Sequence, residues 1–222
     1  MRHVIRRHKY KLAIGIPIVV LIASTIGFSS TADMLGFQPA KRFLAVGATT
    51  TVSVTVSTKT PINAVGGTVV LPEELKLLDS SVDETIINLW TIEPKAQEGD
   101  TSIEFSGGII SPDGFVGDGT VLHFTVEALG PGTGEILFAE PEILAHDGRG
   151  TNVLQREQTL RFVIRPENEP SPDLNQDNRV SVVDVALVSR KLFGKYDRDY
   201  DLNLDGKVTL ADIILLIQKL GK

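Results

Sequence analysis

The last fifty residues, Asp173 to Lys222, contain the same design twice. Asp173-Leu174-Asn175-Gln176-Asp177-Asn178-Arg179-Val180-Ser181-Val182-Val183-Asp184 is answered by Asp201-Leu202-Asn203-Leu204-Asp205-Gly206-Lys207-Val208-Thr209-Leu210-Ala211-Asp212. Both copies put oxygen-bearing side chains at positions 1, 3, 5, 9 and 12, the ligand spacing of a twelve-residue calcium loop. The residues of the first set are Asp173, Asn175, Asp177, Arg179, Ser181 and Asp184. Those of the second are Asp201, Asn203, Asp205, Lys207, Thr209 and Asp212. Arg179 and Lys207 stand at position 7, where the main-chain carbonyl coordinates, so their charge is no obstacle. Position 6 must turn sharply, which Gly206 does freely and Asn178 next best. Val180 and Val208, at position 8, are placed to join the loops through a short β-like contact. A pair of solvated polar turns is the plainer explanation, but composition argues against it. All eight acidic residues of the segment are aspartates, and six fall on ligand positions. The pattern therefore predicts two calcium ions.

Each loop runs into a helix. Val185, Val188 and Leu192 come after the first at helical spacing, and Ile213, Ile214, Ile217 and Leu220 after the second. No helix is expected to enter the first loop, because Pro170 and Pro172 stand just before it. Position 12 is Asp, not the longer bidentate Glu of an ordinary EF-hand. Loop-then-helix repeats of this kind, over 173–222, resemble the two halves of a dockerin domain. The resemblance implies a small calcium-folded module that docks into a cohesin domain. Partner choice in that family leans on loop positions 10 and 11, here Val182-Val183 and Leu210-Ala211. These differ between the halves, so neither the partner nor a symmetric two-way binding mode carries over.

The chain's charge is divided unevenly. Met1 to Ala32 carries Arg2, Arg6, Arg7, Lys9 and Lys11 and no acid; removing those five from the net charge of −6 leaves −11. So acidic an exterior excludes nucleic acid as a natural partner. Behind the basic head, Leu12 to Phe28 is an almost continuous apolar run. It is longer than a usual signal-peptide core of about 7–15 residues and shorter than the roughly 20 of a membrane span. Ser30-Thr31-Ala32 offers small residues for cleavage before Asp33. Residues 1–32 thus read as either a cleaved signal peptide or an N-terminal membrane anchor, and both export the chain from residue 33 onward. The expected location is extracellular, at the cell surface or periplasmic. With no cysteine, there is no disulfide or thiolate chemistry.

From about Gly36 to Arg165 the hydrophobic period is two. Val52, Val54 and Val56, then Ile103 and Phe105, then Leu122, Phe124 and Val126 alternate with polar residues. Val121, His123 and Thr125 are expected on the opposite face. Ile136, Phe138, Leu160, Phe162 and Ile164 continue the pattern, Thr85-Ile86-Ile87 and Trp90 fit a further strand, and Gly- and Pro-rich turns punctuate the series. The fold class is mainly β, a sandwich of the jelly-roll kind over 33–165. Residues 166–172 form a Pro-rich linker, and the small α-helical paired-loop module occupies 173–222. The run Asn63-Ala64-Val65-Gly66-Gly67-Thr68-Val69-Val70, the Leu71-Pro72 turn, the Asp118-Gly119-Thr120 entry to a strand and the Leu144-Ala145-His146-Asp147-Gly148 tip look, in that order, like a cohesin-type module.

Three functions compete for this architecture. Catalysis finds little support: His123 and His146 are not paired, no Gly-x-Ser-x-Gly elbow is present, and Glu73-Glu74 reads as a solvated turn. Polysaccharide binding wants flat aromatic platforms, yet the sandwich holds one Trp, Trp90, and no Tyr. The expected function is therefore that of a non-catalytic adaptor. It would dock cohesin or dockerin modules of other proteins in a polysaccharide-degrading or cell-surface setting. A polysaccharide-binding sandwich attached to a scaffold through the calcium module is the alternative.

Overall fold

The computed structural model describes residues 32–96 and 100–221. The expected export segment lies, but for Ala32, outside the described residues. Among those described, no helix is long and apolar enough to cross a membrane.

Among the described residues, ten strands lie between Met34 and Arg165. In order they are β1 (Met34–Pro39), β2 (Phe43–Ala45), β3 (Thr49–Val70), β4 (Leu75–Ser81), β5 (Leu89–Ile92), β6 (Ser102–Gly108), β7 (Phe115–Ala128), β8 (Gly132–Ala145), β9 (Arg156–Glu157) and β10 (Leu160–Arg165). The long strand β3 organises the others. Its first half pairs antiparallel with β1 and β7, and β7 in turn with β4. Its second half pairs with β6 and β8, which carry β5 and β10. The register shifts between Thr58 and Ile62, around Pro61, where the strand passes from one layer to the other. Two parallel pairings close the ends, β9 beside β1 and β2 beside β10.

The period of two becomes a core between the layers. Val52, Val54, Val56, Ile103, Phe105, Leu122, Phe124, Val126, Ile136, Phe162 and Ile164 are all buried. Phe37 of β1 stacks on Phe138 of β8, ring centroids 4.2 Å apart and planes 7° from parallel. At the chain's entry to the sandwich, Asp33 is buried. Burial pushes its carboxyl up. Bonds from the Thr60 hydroxyl, the Lys59 N–H and the Thr58 hydroxyl outweigh that and bring it below the ordinary value.

Two expectations need correction. Val121 does not share an outward face with His123: it is fully buried, because the β3–β7 register shifts between Val54 and Thr55 and a bulge turns Val121 inward. His123 does point away from the core, and its Nδ1 lies 2.8 Å from Ser53 Oγ. Thr85 to Ile87 is turn and coil, not strand; Glu84 has φ 53, and pairing starts only at Leu89. Trp90 does lie on β5. It packs beside Ile87 over Gly107, where a side-chain methyl would collide with both.

Helix α1 spans Val182–Lys191 and α2 spans Leu210–Gln218, with a 3-10 turn at Arg198–Tyr200 between them. Their shared core holds Val180, Val188 and Leu216, together with Phe43 from β2 of the sandwich. The inward face of α2 differs from the expected one. Ile213, Leu216 and Leu220 pack inward, whereas Ile214 and Ile217 are half exposed. The apolar run at 213–217 admits several helical faces, and contact with α1 and Phe43 selects this one.

Candidate metal centre

The aspartates that begin and end the two loops, Asp173, Asp184, Asp201 and Asp212, are 4%, 0%, 0% and 0% exposed. Their bonding is the same in both copies. In the first loop, Asp173 accepts the N–H groups of Asp177 (3.1 Å) and Asn178 (2.9 Å). In the second, Asp201 accepts those of Asp205 (3.2 Å) and Gly206 (2.9 Å). At position 5, Asp177 and Asp205 accept from the N–H groups of Arg179 and Lys207, each at 2.9 Å. Asn175 and Asn203 reach Asp177 and Asp205 through their amides at 2.8 and 2.9 Å.

Positions 9 and 12 do a second job. Ser181 and Thr209 are the N-caps of α1 and α2, and Asp184 and Asp212 return the bond to the cap N–H at 2.8 and 2.7 Å. The other oxygen of Asp184 accepts from Leu174 and Asn175, and that of Asp212 from Leu202 and Asn203. One carboxylate thus ties the start of each loop to the start of its helix. The Ser-x-x-Asp and Thr-x-x-Asp spacing is a capping box, a signal that was present in the sequence.

Among the described residues, no cluster of three or more His, Asp or Glu side chains is already converged for a metal. The chemistry of the donors nevertheless suits one. The four buried carboxylates bond to main-chain N–H groups and hydroxyls, and among the described residues no Lys or Arg forms an ion pair with them. Buried carboxylates without a cation are costly. Burial pushes Asp173 above the ordinary carboxylate range, against the N–H groups of Asn178 and Asp177 that draw it down. Oxygen-only donors in this order fit calcium, which takes about six to eight of them.

The expected β-like contact between Val180 and Val208 is absent; neither lies in a strand or bridge. Both face the helical core, and the Val180 carbonyl instead accepts the Gly221 N–H at 3.2 Å. Sequence reasoning also passed over Tyr196, whose hydroxyl donates to Asp201 at 3.0 Å. It equally missed the reach of Asn178, whose side chain leaves its own loop altogether. Oδ1 accepts the Arg42 N–H at 2.8 Å. An Asn where glycine is the easier fit was the one available hint.

Several solved cohesin modules are similar to this chain. A non-cellulosomal cohesin from the hyperthermophilic archaeon Archaeoglobus fulgidus is similar at 15% identity, TM-score 0.45, covering 61% of this chain and 91% of its own. The seventh ScaB type I cohesin from Pseudobacteroides cellulosolvens is similar at 13%, TM-score 0.49, covering 61% and 93%. The sixth cohesin of scaffoldin B from Acetivibrio cellulolyticus, solved in complex with a Cel5 dockerin mutant, is similar at 14%, TM-score 0.48, covering 61% and 100%. Comparison with curated proteins finds no match. In the loop-and-helix region, residues 171–221 match the family model of the dockerin type I domain.

Proposed function

We propose that this chain is an exported, non-catalytic adaptor that works by calcium-dependent protein docking of the cohesin–dockerin type. The observation that carries the reading is the duplicated loop with its four buried aspartates, within the segment matching the dockerin family. One calcium ion would be held by Asp173, Asn175, Asp177, the Arg179 carbonyl, Ser181 and Asp184. The second would be held by Asp201, Asn203, Asp205, the Lys207 carbonyl, Thr209 and Asp212. Each ion supplies the positive charge that the buried carboxylates lack and fixes the loop that caps its helix. Val182, Val183, Leu210, Ile214 and Ile217 then stand exposed beside the loops as apolar anchors for a cohesin.

The division we propose is an export segment or anchor over 1–32, a sandwich over 33–165, a linker over 166–172 and the calcium module over 173–222. The sandwich offers a second docking face. On β5, β6, β3 and β8, Glu104 and Ala139 flank Thr68, Ser106 and Glu142 flank Gly66, and Ile92 and Leu137 are exposed. A polar strand face with a few apolar anchors suits a protein partner, such as a dockerin from another chain. The polysaccharide-binding alternative has Trp90 as its one candidate platform, but that ring is partly buried against Gly107 and the core.

The test is capture of the chain lacking residues 1–31 by panels of immobilised cohesin and dockerin modules, in calcium and in chelator. Calcium-dependent capture by a cohesin supports the reading; equal behaviour in both conditions overturns it. Retention on cellulose, chitin or xylan that is lost in Trp90→Ala would favour the alternative.

A further inference from the structure

The first loop is joined to the sandwich at position 6. Asn178 holds a left-handed backbone, φ 66, which glycine would adopt at less cost. Its contacts explain the asparagine. Oδ1 accepts the Arg42 N–H at 2.8 Å, and Nδ2 lies 3.4 Å from the Ala40 carbonyl and 3.5 Å from that of Pro39. The N–H of the same residue donates to Asp173. A single residue therefore connects a carboxylate of the first loop to main chain 136 positions away.

Packing adds a second, independent contact. Alternation turns Leu44 of β2 and Phe162 and Ile164 of β10 into the sandwich core, and leaves Phe43 and its register partner Val163 facing out. Phe43 is nevertheless only 9% exposed, because it is one of the four buried residues in the core of the two helices, and Val163 packs against the same cluster. A module of about fifty residues buries too little apolar surface for easy independent stability. This one completes its core with a sandwich side chain.

We infer that the sandwich is a resident partner of the calcium module. Calcium at the first loop and docking of that loop on the Ala40–Phe43 segment form one coupled equilibrium. The second loop has no counterpart of the Asn178 bond, since an added side chain at Gly206 would meet nothing within 4 Å. The inference rests on the proposed calcium binding. Linkage makes the coupling reciprocal: the factor by which docking raises first-loop affinity is the factor by which calcium favours docking.

Amide hydrogen exchange at Arg42 in the whole chain reads the docking directly, with calorimetry tracking calcium binding in parallel. Calcium is expected to slow Arg42 exchange by at least about tenfold. Asn178→Gly should abolish that slowing and weaken one of the two sites by roughly tenfold, although glycine suits the local backbone better. Phe43→Ala, acting from the other side of the contact, should change both readouts in the same direction. Gly206→Asn, at the matching position of the second loop, should leave Arg42 exchange unchanged. Calcium binding at both loops with Arg42 exchange unaltered, or full protection retained in Asn178→Gly, overturns the coupling and leaves the calcium reading standing. Absence of any calcium binding overturns both.

Discussion

In the loop that starts at Asp173 the sixth residue is an asparagine bonded to Arg42, while in the loop that starts at Asp201 it is Gly206, facing open space. Within the loops the bonding hardly differs. Both first aspartates accept the N–H groups of positions 5 and 6, and both last aspartates bond the N-cap and the N–H groups of positions 2 and 3. Outside them it diverges. The first loop is braced by the sandwich. The second is braced by the segment between the helices, where Tyr196 donates to Asp201 and Lys191 pairs with Asp197 at 2.8 Å and lies over the Tyr200 ring. The two copies keep the same residue types at positions 1, 3, 5 and 12 and differ at position 6, where only the first is attached to the sandwich.

Stripping calcium should be the most severe test of the comparison, since it removes the feature the loops share. Circular dichroism of the whole chain is expected to lose the helical signal of α1 and α2 on chelation and regain it with calcium, while the β signal persists. Helicity unchanged by chelator would mean that the loops are held by protein bonds alone.

Next in size is damage to the core that both halves use. Leu216→Ala should cost about 2–5 kcal/mol in the calcium-loaded protein, because Leu216 is fully buried. Ile214→Ala, on the exposed face of the same helix, should stay within about 0.5 kcal/mol. Chemical denaturation of the two variants side by side would decide whether the inward face is correctly assigned.

Breaking the loops one at a time sharpens the contrast further. Asp173→Ala and Asp201→Ala should each weaken their own calcium site by more than the roughly 10–100-fold typical of losing a mere outer partner. In calorimetry each should leave one site nearly intact. If either substitution abolished both sites, the loops would have to be treated as a single cooperative unit.

The smallest effect is expected at the brace of the second loop. The bond from Lys191 holds Asp197 below its ordinary value, and Asp197 in turn raises Lys191. A depressed carboxylate stabilises the fold above its unfolded value, near 3.8, and loses that contribution as the pH falls through the lower folded value. Asp197→Asn should therefore lower the melting midpoint slightly at neutral pH and not at all in strong acid. A deficit of equal size in strong acid would point to packing, not charge.

Much of the molecule was legible in its residues. Alternating Val52, Val54 and Val56 become a buried stripe because a strand's period is two whatever its neighbours are. The duplicated aspartates lie in matching turns for a similarly local reason. Where reading failed, the cause was contact at a distance. Val121 turns inward because its partner strand shifts register, and Leu216 replaces Ile214 in the core because α1 and Phe43 cover that side. Phe43 carried no local mark of its partner, since the residues it meets are more than a hundred positions further on.

The strand from Thr49 to Val70 has a consequence for how the sandwich assembles. Its pairing partners are drawn from residues 34 to 145, so neither layer can be completed by neighbouring hairpins alone. Contacts so far apart in sequence close slowly, on the order of milliseconds to seconds for small β proteins. Because the same backbone is the seam of both layers, partial folding of one sheet leaves the other without its central strand. The sandwich should therefore appear in a single late step, and a break introduced anywhere along this strand should delay both sheets together.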